Sequence, residues 1–247
     1  MTTVRVRFSK TGKVRFTSHR DVARIWERAL RRAEIEVAYS EGFSPHPKLH
    51  FGLALSTSYE SLGEYLDIDL VDGVEIDLAT LPERFAPALP VGFEVQTAAV
   101  LEPGTESLQA LVTSCSWWVE VADVTLDQLS DAVDRALAAD EIVVTRQRKG
   151  RDVTDDLRPY LIGLRAAGPT ERGAWFEAEL GTQPRSLRPA ELVAALGDGW
   201  TEGRVCRTHQ WIVHDNARRE PLPWADLPEP LLPAWSPSGL LAEARAS

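Results

Sequence analysis

An α+β protein of two successive ferredoxin-like (βαββαβ) units with antiparallel sheets, followed by a Pro-rich C-terminal tail, is what this sequence predicts. Three observations lead there. Strand-type and helix-type hydrophobic patterns follow in the order β-α-β-β-α-β and then recur in that order with one additional hairpin strand. A breaker cluster, Glu102-Pro103-Gly104, separates the two runs and divides the chain into residues 1–101 and 112–215. Prolines 221, 223, 228, 230, 233 and 237 then exclude a regular helix or central strand from the tail, residues 216–247.

The elements of the first unit are read as follows. Val4, Val6 and Phe8 alternate with Arg5 and Arg7, the period-two signature of a half-buried strand. Ser18 stands three residues before Asp21 as a helix cap, and Val22, Ile25, Trp26, Ala29, Leu30 and Ala33 follow at helical spacing. Residues 35–39 form a short β-type run, and residues 41–48 a loop punctuated by Gly and Pro. Leu66, Ile68 and Leu70 alternate with Asp67 and Asp69 in a second clear strand. Residues 78–89 suit a short helix ended by Pro90 and Gly92, and residues 93–100 a last strand.

In the second unit, strands are expected at 115–121, 142–148, 160–165, 175–180 and 205–213, with helices at 126–138 and 189–196. Trp117, Trp118, Trp175 and Trp211 fall in strands, where core packing is their ordinary role. In the tail, Trp224 and Trp235 are expected to dock back on the body rather than stay in water.

The chain has 247 residues, 44% of them hydrophobic, and a formal charge of −10. This composition excludes a disordered, collagenous or coiled-coil protein. No run approaches the roughly 18 apolar residues of a membrane helix, and the start of the chain does not read as a secretory leader. The expectation is a soluble, cytoplasmic protein without membrane association. Cys115 and Cys206 are too far apart to share a CxxC motif and are expected to be buried thiols. Two cysteines also fall short of the three or four thiolates of an iron–sulfur cluster, so no cofactor is expected.

The charge is uneven along the sequence. Residues 1–50 carry a balance of +6, residues 51–140 of −15 and residues 141–247 of −1. A basic segment on an acidic chain points to a polyanion-facing patch. The first helix concentrates it, with Arg20, Arg24, Arg28, Arg31 and Arg32 on its polar side and Glu27 as the near counter-charge. Pro45 and Pro47 stiffen the loop that carries His46 and Lys48, lowering the entropy lost on binding. The first turn of a helix is itself an anion site. If these regions meet, Lys10, Arg15, Ser18, His19, His46 and Lys48 form a phosphate cradle, extended by Arg24, Arg28 and Arg32. His46 and His50 at i, i+4 would share a helix face and suit a metal, but the two prolines argue against helix there. No metal site and no catalytic triad are expected; the nucleophile-elbow pattern is absent. A second basic cluster, Arg146-Gln147-Arg148-Lys149-Gly150-Arg151, reads either as a solvated loop or as a hairpin tip that grips a nucleic-acid backbone through Arg146, Arg148 and Lys149.

The run Phe16-Thr17-Ser18-His19-Arg20-Asp21, the helix ending Arg28-Ala29-Leu30-Arg31-Arg32-Ala33, the loop from Tyr39 through Gly42-Phe43-Ser44-Pro45-His46-Pro47-Lys48, and Gly63-Glu64-Tyr65 together resemble one family. It is the radical-SAM-linked family, a bacterial domain of unknown function found beside or fused to a radical-SAM protein. Lys10, Ser18, His19, Asp21, Arg28, Arg32, Gly42, Phe43, Pro45, His46, Pro47, Lys48 and Glu64 fall on its motif positions. The chain departs from the pattern at Arg20, where Leu is expected, and at Ser44, where Asn is usual. The resemblance adds Phe43 to the candidate binding residues and implies a radical-SAM protein as partner.

The expected function is therefore that of a non-catalytic accessory protein, binding RNA or another polyanion and presenting it to a radical-SAM enzyme. One alternative is an enzyme for a small phosphorylated or carboxylated substrate, with His19 or His46 as acid/base and Lys48 as clamp. Another is a structural adaptor that docks through Trp224 and Trp235.

Overall fold

In a computed structural model, the described residues are 2–148, 150–214 and 217–222. Lys149 and the expected tail beyond residue 222, with Trp224 and Trp235, lie outside them. The described residues divide into two compact units, one comprising residues 2–112 together with residues 210–222, the other Thr113–His209. Secondary structure is mixed, and the sheets are mostly antiparallel.

The first unit contains β1 (Thr3–Lys10), α1 (His19–Arg32), β2 (Leu49–Phe51), β3 (Glu60–Asp69), α2 (Leu81–Phe85), β4 (Phe93–Val100) and α3 (Leu108–Leu111). Its sheet runs β4-β1-β3, with β2 against β3, every pair antiparallel. Alternation sends Val4, Val6 and Phe8 of β1 to the side covered by the helices. There Trp26 is fully buried, edge-on to Phe8 at 4.8 Å and to Phe85 at 5.2 Å. Burying a side chain such as Phe8 is worth about 2–3 kcal/mol, so this contact anchors α1 on the sheet.

Both ends of α1 are fixed locally. The Ser18 hydroxyl accepts the Asp21 N–H at 3.2 Å. At the far end Glu34 takes φ +55°, and the Ile35 N–H returns to the Leu30 carbonyl at 3.0 Å, closing the helix as glycine usually does.

The second unit contains β5 (Val112–Ala122), α4 (Leu126–Ala138), β6 (Val143–Arg148), β7 (Arg151–Asp156), β8 (Leu161–Thr170), β9 (Gly173–Gly181), α5 (Pro189–Leu196) and β10 (Glu202–His214), the last continuing from Gln210 into the first unit. The order is β10-β5-β9-β8, while β6 and β7 form a separate two-stranded sheet. Thr125 and Gln128 cap α4 reciprocally. Trp117, Trp175, Cys115 and Cys206 are buried. β11 (Ala217–Arg219), in the first unit, pairs with the end of β10.

Several expectations are corrected. The run 35–39 forms only the isolated bridges Val37↔Leu70 and Tyr39↔Pro47, and the regular strand lies later, at β2. Residues 78–89 give a 3-10 turn and the single short α2, because Pro82 starts the helix and its last turn is spent by residue 89. β1 is not half-buried: Arg5 and Arg7 are 1% and 2% exposed, covered from the side away from the helices. No helix of the described residues is long and apolar enough to cross a membrane.

Candidate functional site

The end of β1 and the start of α1 build a small pocket. The β1–β3 register shifts between Phe8, opposite Glu64, and Lys10, opposite Ser61, and such a bulge re-aims the side chains beside it. The resulting cavity, of about 20 Å³, is lined by Lys10, His19, Phe51, Glu64 and Tyr65 among others. That is room for about one water molecule. His19 is exposed at its rim and lies edge-on to Phe51, ring centroids 5.3 Å apart. Lys10 is buried, and its ammonium donates to the Arg15 and Thr17 carbonyls, each at 3.2 Å. Its charge therefore serves the 3-10 turn at Gly12–Phe16 instead of facing solvent. Arg15 lies over the Phe16 ring at 4.6 Å, with Glu60 at 3.9 Å. Ser18 is the cap described above and also donates to the Asp21 carboxylate at 2.7 Å.

The opposite side of α1 is a cationic surface. Arg20, Arg24, Arg28, Arg31 and Arg32 are all exposed. Arg24 reaches Asp21 at 3.5 Å, a surface pair worth well under about 1 kcal/mol. The other four make no ion pair within 4.0 Å among the described residues. From Arg20 to Arg32 the stripe spans about 18 Å at the α-helical rise of ~1.5 Å per residue.

Beyond α1 the chain forms an arm at residues 39–48. Ser40 N–H donates to the His46 carbonyl at 2.8 Å, His46 N–H to the Ser40 hydroxyl at 3.0 Å, and Lys48 N–H to the Ala38 carbonyl at 2.8 Å. Phe43 and His46 are exposed and Lys48 is half-buried. None of the three lines the pocket that holds Lys10 and His19. Along the extended backbone from residue 48 to 51, alternation groups Lys48 with His50, and His50 approaches Asp69 at 3.4 Å. Leu49 packs with the helix-side core, so Lys48 faces the other side of the sheet from α1. His46 and His50 do not share a helix face.

That other side holds a buried charge network which period-two reading of β1 misses. Arg5 is bidentate with Asp67, at 2.7 and 2.8 Å, and donates to the Pro221 carbonyl at 3.2 Å. Arg7 donates to the Tyr65 hydroxyl at 3.2 Å, to Gln96, and to Glu220 at 3.4 Å. Burial, reinforced by the Glu220 carboxylate, pushes the Tyr65 phenol far above its ordinary ionisation range. Glu64 at the pocket, opposite Phe8 in β1, is not among the candidate binding residues, although the family motif at Gly63-Glu64-Tyr65 carries a signal for it.

In the second unit, β6 and β7 form a hairpin in which Arg148 pairs with Arg151 and Gly150 turns at φ +74°. Arg146 and Arg148 lie on its backbone, and Lys149 is outside the described residues. Trp118 packs edge-on against Trp175 at 5.8 Å, and Arg218 lies 3.8 Å over Trp211 in the first unit. Among the described residues no group of three or more His, Cys, Asp or Glu is placed to hold a metal ion.

A family described as "Uncharacterized protein conserved in bacteria" (DUF2344) matches residues 3–189. No curated protein matches the chain. Among solved structures, a chain of "Crystal Structure of a Cbf5-Nop10-Gar1 Complex" is similar at 12% identity and a TM-score of 0.48, over 84% of this chain and 48% of that one. This chain thus spans about half the length of that neighbour.

Proposed function

The chain belongs to the DUF2344 family of uncharacterized proteins conserved in bacteria, and from that premise we propose that it is a non-catalytic accessory protein of a radical-SAM enzyme, holding RNA or another polyanion on the cationic face of α1. The observation that carries the reading is the arginine stripe: five exposed guanidiniums on one helix, of which only Arg24 has a carboxylate within ion-pair distance among the described residues. Helix charges that serve stability are ordinarily matched at i, i+3 or i, i+4, and unmatched like charges cost stability. A stripe that repels itself is relieved by a polyanion, which exchanges its condensed counter-ions for these side chains.

The radical-SAM partnership rests on the resemblance at residues 16–21, 28–33, 39–48 and 63–65. With two cysteines in 247 residues, this chain would be the half of the pair that binds, leaving the radical chemistry to the partner. A bacterial cytoplasmic location suits both. We also read each unit as ferredoxin-like, a reading supported by the strand orders β4-β1-β3, with β2 on β3, and β10-β5-β9-β8.

The enzyme alternative draws on the pocket at Lys10, His19 and Glu64, but a volume near 20 Å³ suits a water better than a substrate. His46 and Lys48 do not line it. The open face is the better-supported site. Electrophoretic binding of bulk tRNA at low salt tests this reading: the double variant Arg28→Ala/Arg32→Ala should bind clearly more weakly than the parent, and equal binding would overturn it. Affinity purification from bacterial cells should retain both RNA and a radical-SAM protein.

A further inference from the structure

We infer that Phe43 is a base-stacking residue, so that the RNA held along α1 is single-stranded where it meets the arm at residues 39–48. The inference rests on the RNA reading above and adds the form of the ligand. Phe43 is fully exposed, at 111%, and its ring packs on no side chain among the described residues. The arm that carries it is closed at its base. The Ser40–His46 pair of hydrogen bonds, the Lys48–Ala38 bond and the Tyr39↔Pro47 bridge close the base of the arm, and Pro45 and Pro47 restrict its returning strand. Gly42, at φ +124°, makes the bend before Phe43 in a backbone region that L side chains rarely enter. A local frame that keeps an aromatic ring in water suits a ring whose partner arrives from outside, because little ordering entropy is lost on contact.

The surroundings select the partner. Tyr39, 47% exposed, and the exposed His46 lie on the same arm, which residues 33–38, with Val37 bridged to Leu70, join to the end of α1 that carries Arg31 and Arg32. Exposed aromatic rings beside a cationic track are the arrangement by which single strands are held: bases stack on rings while phosphates follow the cations. In a duplex the base faces are already occupied by their neighbours, so this ring would gain no stacking there.

Fluorescence anisotropy with the full chain tests it, using an oligouridylate and the duplex it forms with oligoadenylate. Phe43→Ala should weaken single-strand binding by about ten-fold, within the range one stacked base contributes, and leave duplex binding and the salt dependence unchanged. Phe43→Trp should restore the affinity. If Phe43→Ala matches the parent on both RNAs while Arg28→Ala/Arg32→Ala still weakens them, stacking is refuted and the RNA reading stands. If the parent holds neither RNA, both fall. If Phe43→Ala leaves RNA binding intact and instead abolishes retention of the radical-SAM protein, the ring is a protein anchor and the inference is overturned.

Discussion

The Arg5 guanidinium and the Asp67 carboxylate form a two-pronged ion pair, at 2.7 and 2.8 Å, inside the first unit, with Arg5 1% and Asp67 6% exposed. Each would be costly to bury alone. Asp67→Ala should therefore destabilise the first unit by about 3–5 kcal/mol, because it strands a buried guanidinium. The double variant Arg5→Met/Asp67→Leu should lose far less. Urea unfolding of the three proteins checks this; equal losses for the single and double variants would refute the account of the pair.

Residues 220–222 close on this network, the Pro221 carbonyl accepting from Arg5. Glu220 faces Arg7 at 3.4 Å, and Leu222 is buried in a cluster with Tyr65 and Leu108. Leu222→Ala should cost about 2–3 kcal/mol, and Glu220→Ala about 1–3 kcal/mol. Both should speed amide hydrogen exchange along β1 more than along α4, as read by mass spectrometry.

Tyr65 gives the first unit a defined alkaline limit. Its folded-state pKa lies above the unfolded value of about 10, mainly through burial. The stability this provides is fully present below about pH 10 and is lost as pH rises towards the folded value. Unfolding free energy should thus begin to fall near about pH 10 in the parent and keep falling above it. Tyr65→Phe should remove that slope while costing about 1 kcal/mol at neutral pH through the lost Arg7 hydrogen bond.

Much of the first unit is legible from residues close in sequence, and what escapes depends on residues far apart. The Ser18 cap and the spacing from Val22 to Ala33 define α1 because both signals are local. The alternation in β1 is also real, but nothing near Arg5 and Arg7 announces that Asp67, Glu220 and Pro221 will enclose them. Lys10 reads as a ligand cation for the same reason: its ammonium is drawn inward by carbonyl oxygens, which every residue has. β7 has the sequence Arg-Asp-Val-Thr-Asp-Asp, too polar to show a period, and is a strand because β6 lies beside it. Of the candidate site, the arginines on α1 are legible because an amphipathic helix leaves its polar side outside. The separation of Lys48 from them follows from the pairing of β2 with β3, which no local pattern reveals.

Glu34 closes α1 in the left-handed region, at φ +55°, with its side chain exposed. Glycine meets no steric penalty there. Glu34→Gly should leave the first unit as stable or raise it by about 0.5–1 kcal/mol, whereas Glu34→Val should lower it by at least about 1 kcal/mol. Thermal unfolding followed by circular dichroism distinguishes the two.

Contact between the α1 arginines and phosphates is read by the salt dependence of single-stranded RNA affinity. Each phosphate contact contributes roughly 0.7 to the slope of log affinity against log salt. Arg28→Ala/Arg32→Ala should flatten that slope by about 1.4 while the fold, judged by its thermal transition, is unchanged. A slope identical to the parent's would show that these side chains hold no phosphate and would contradict the account.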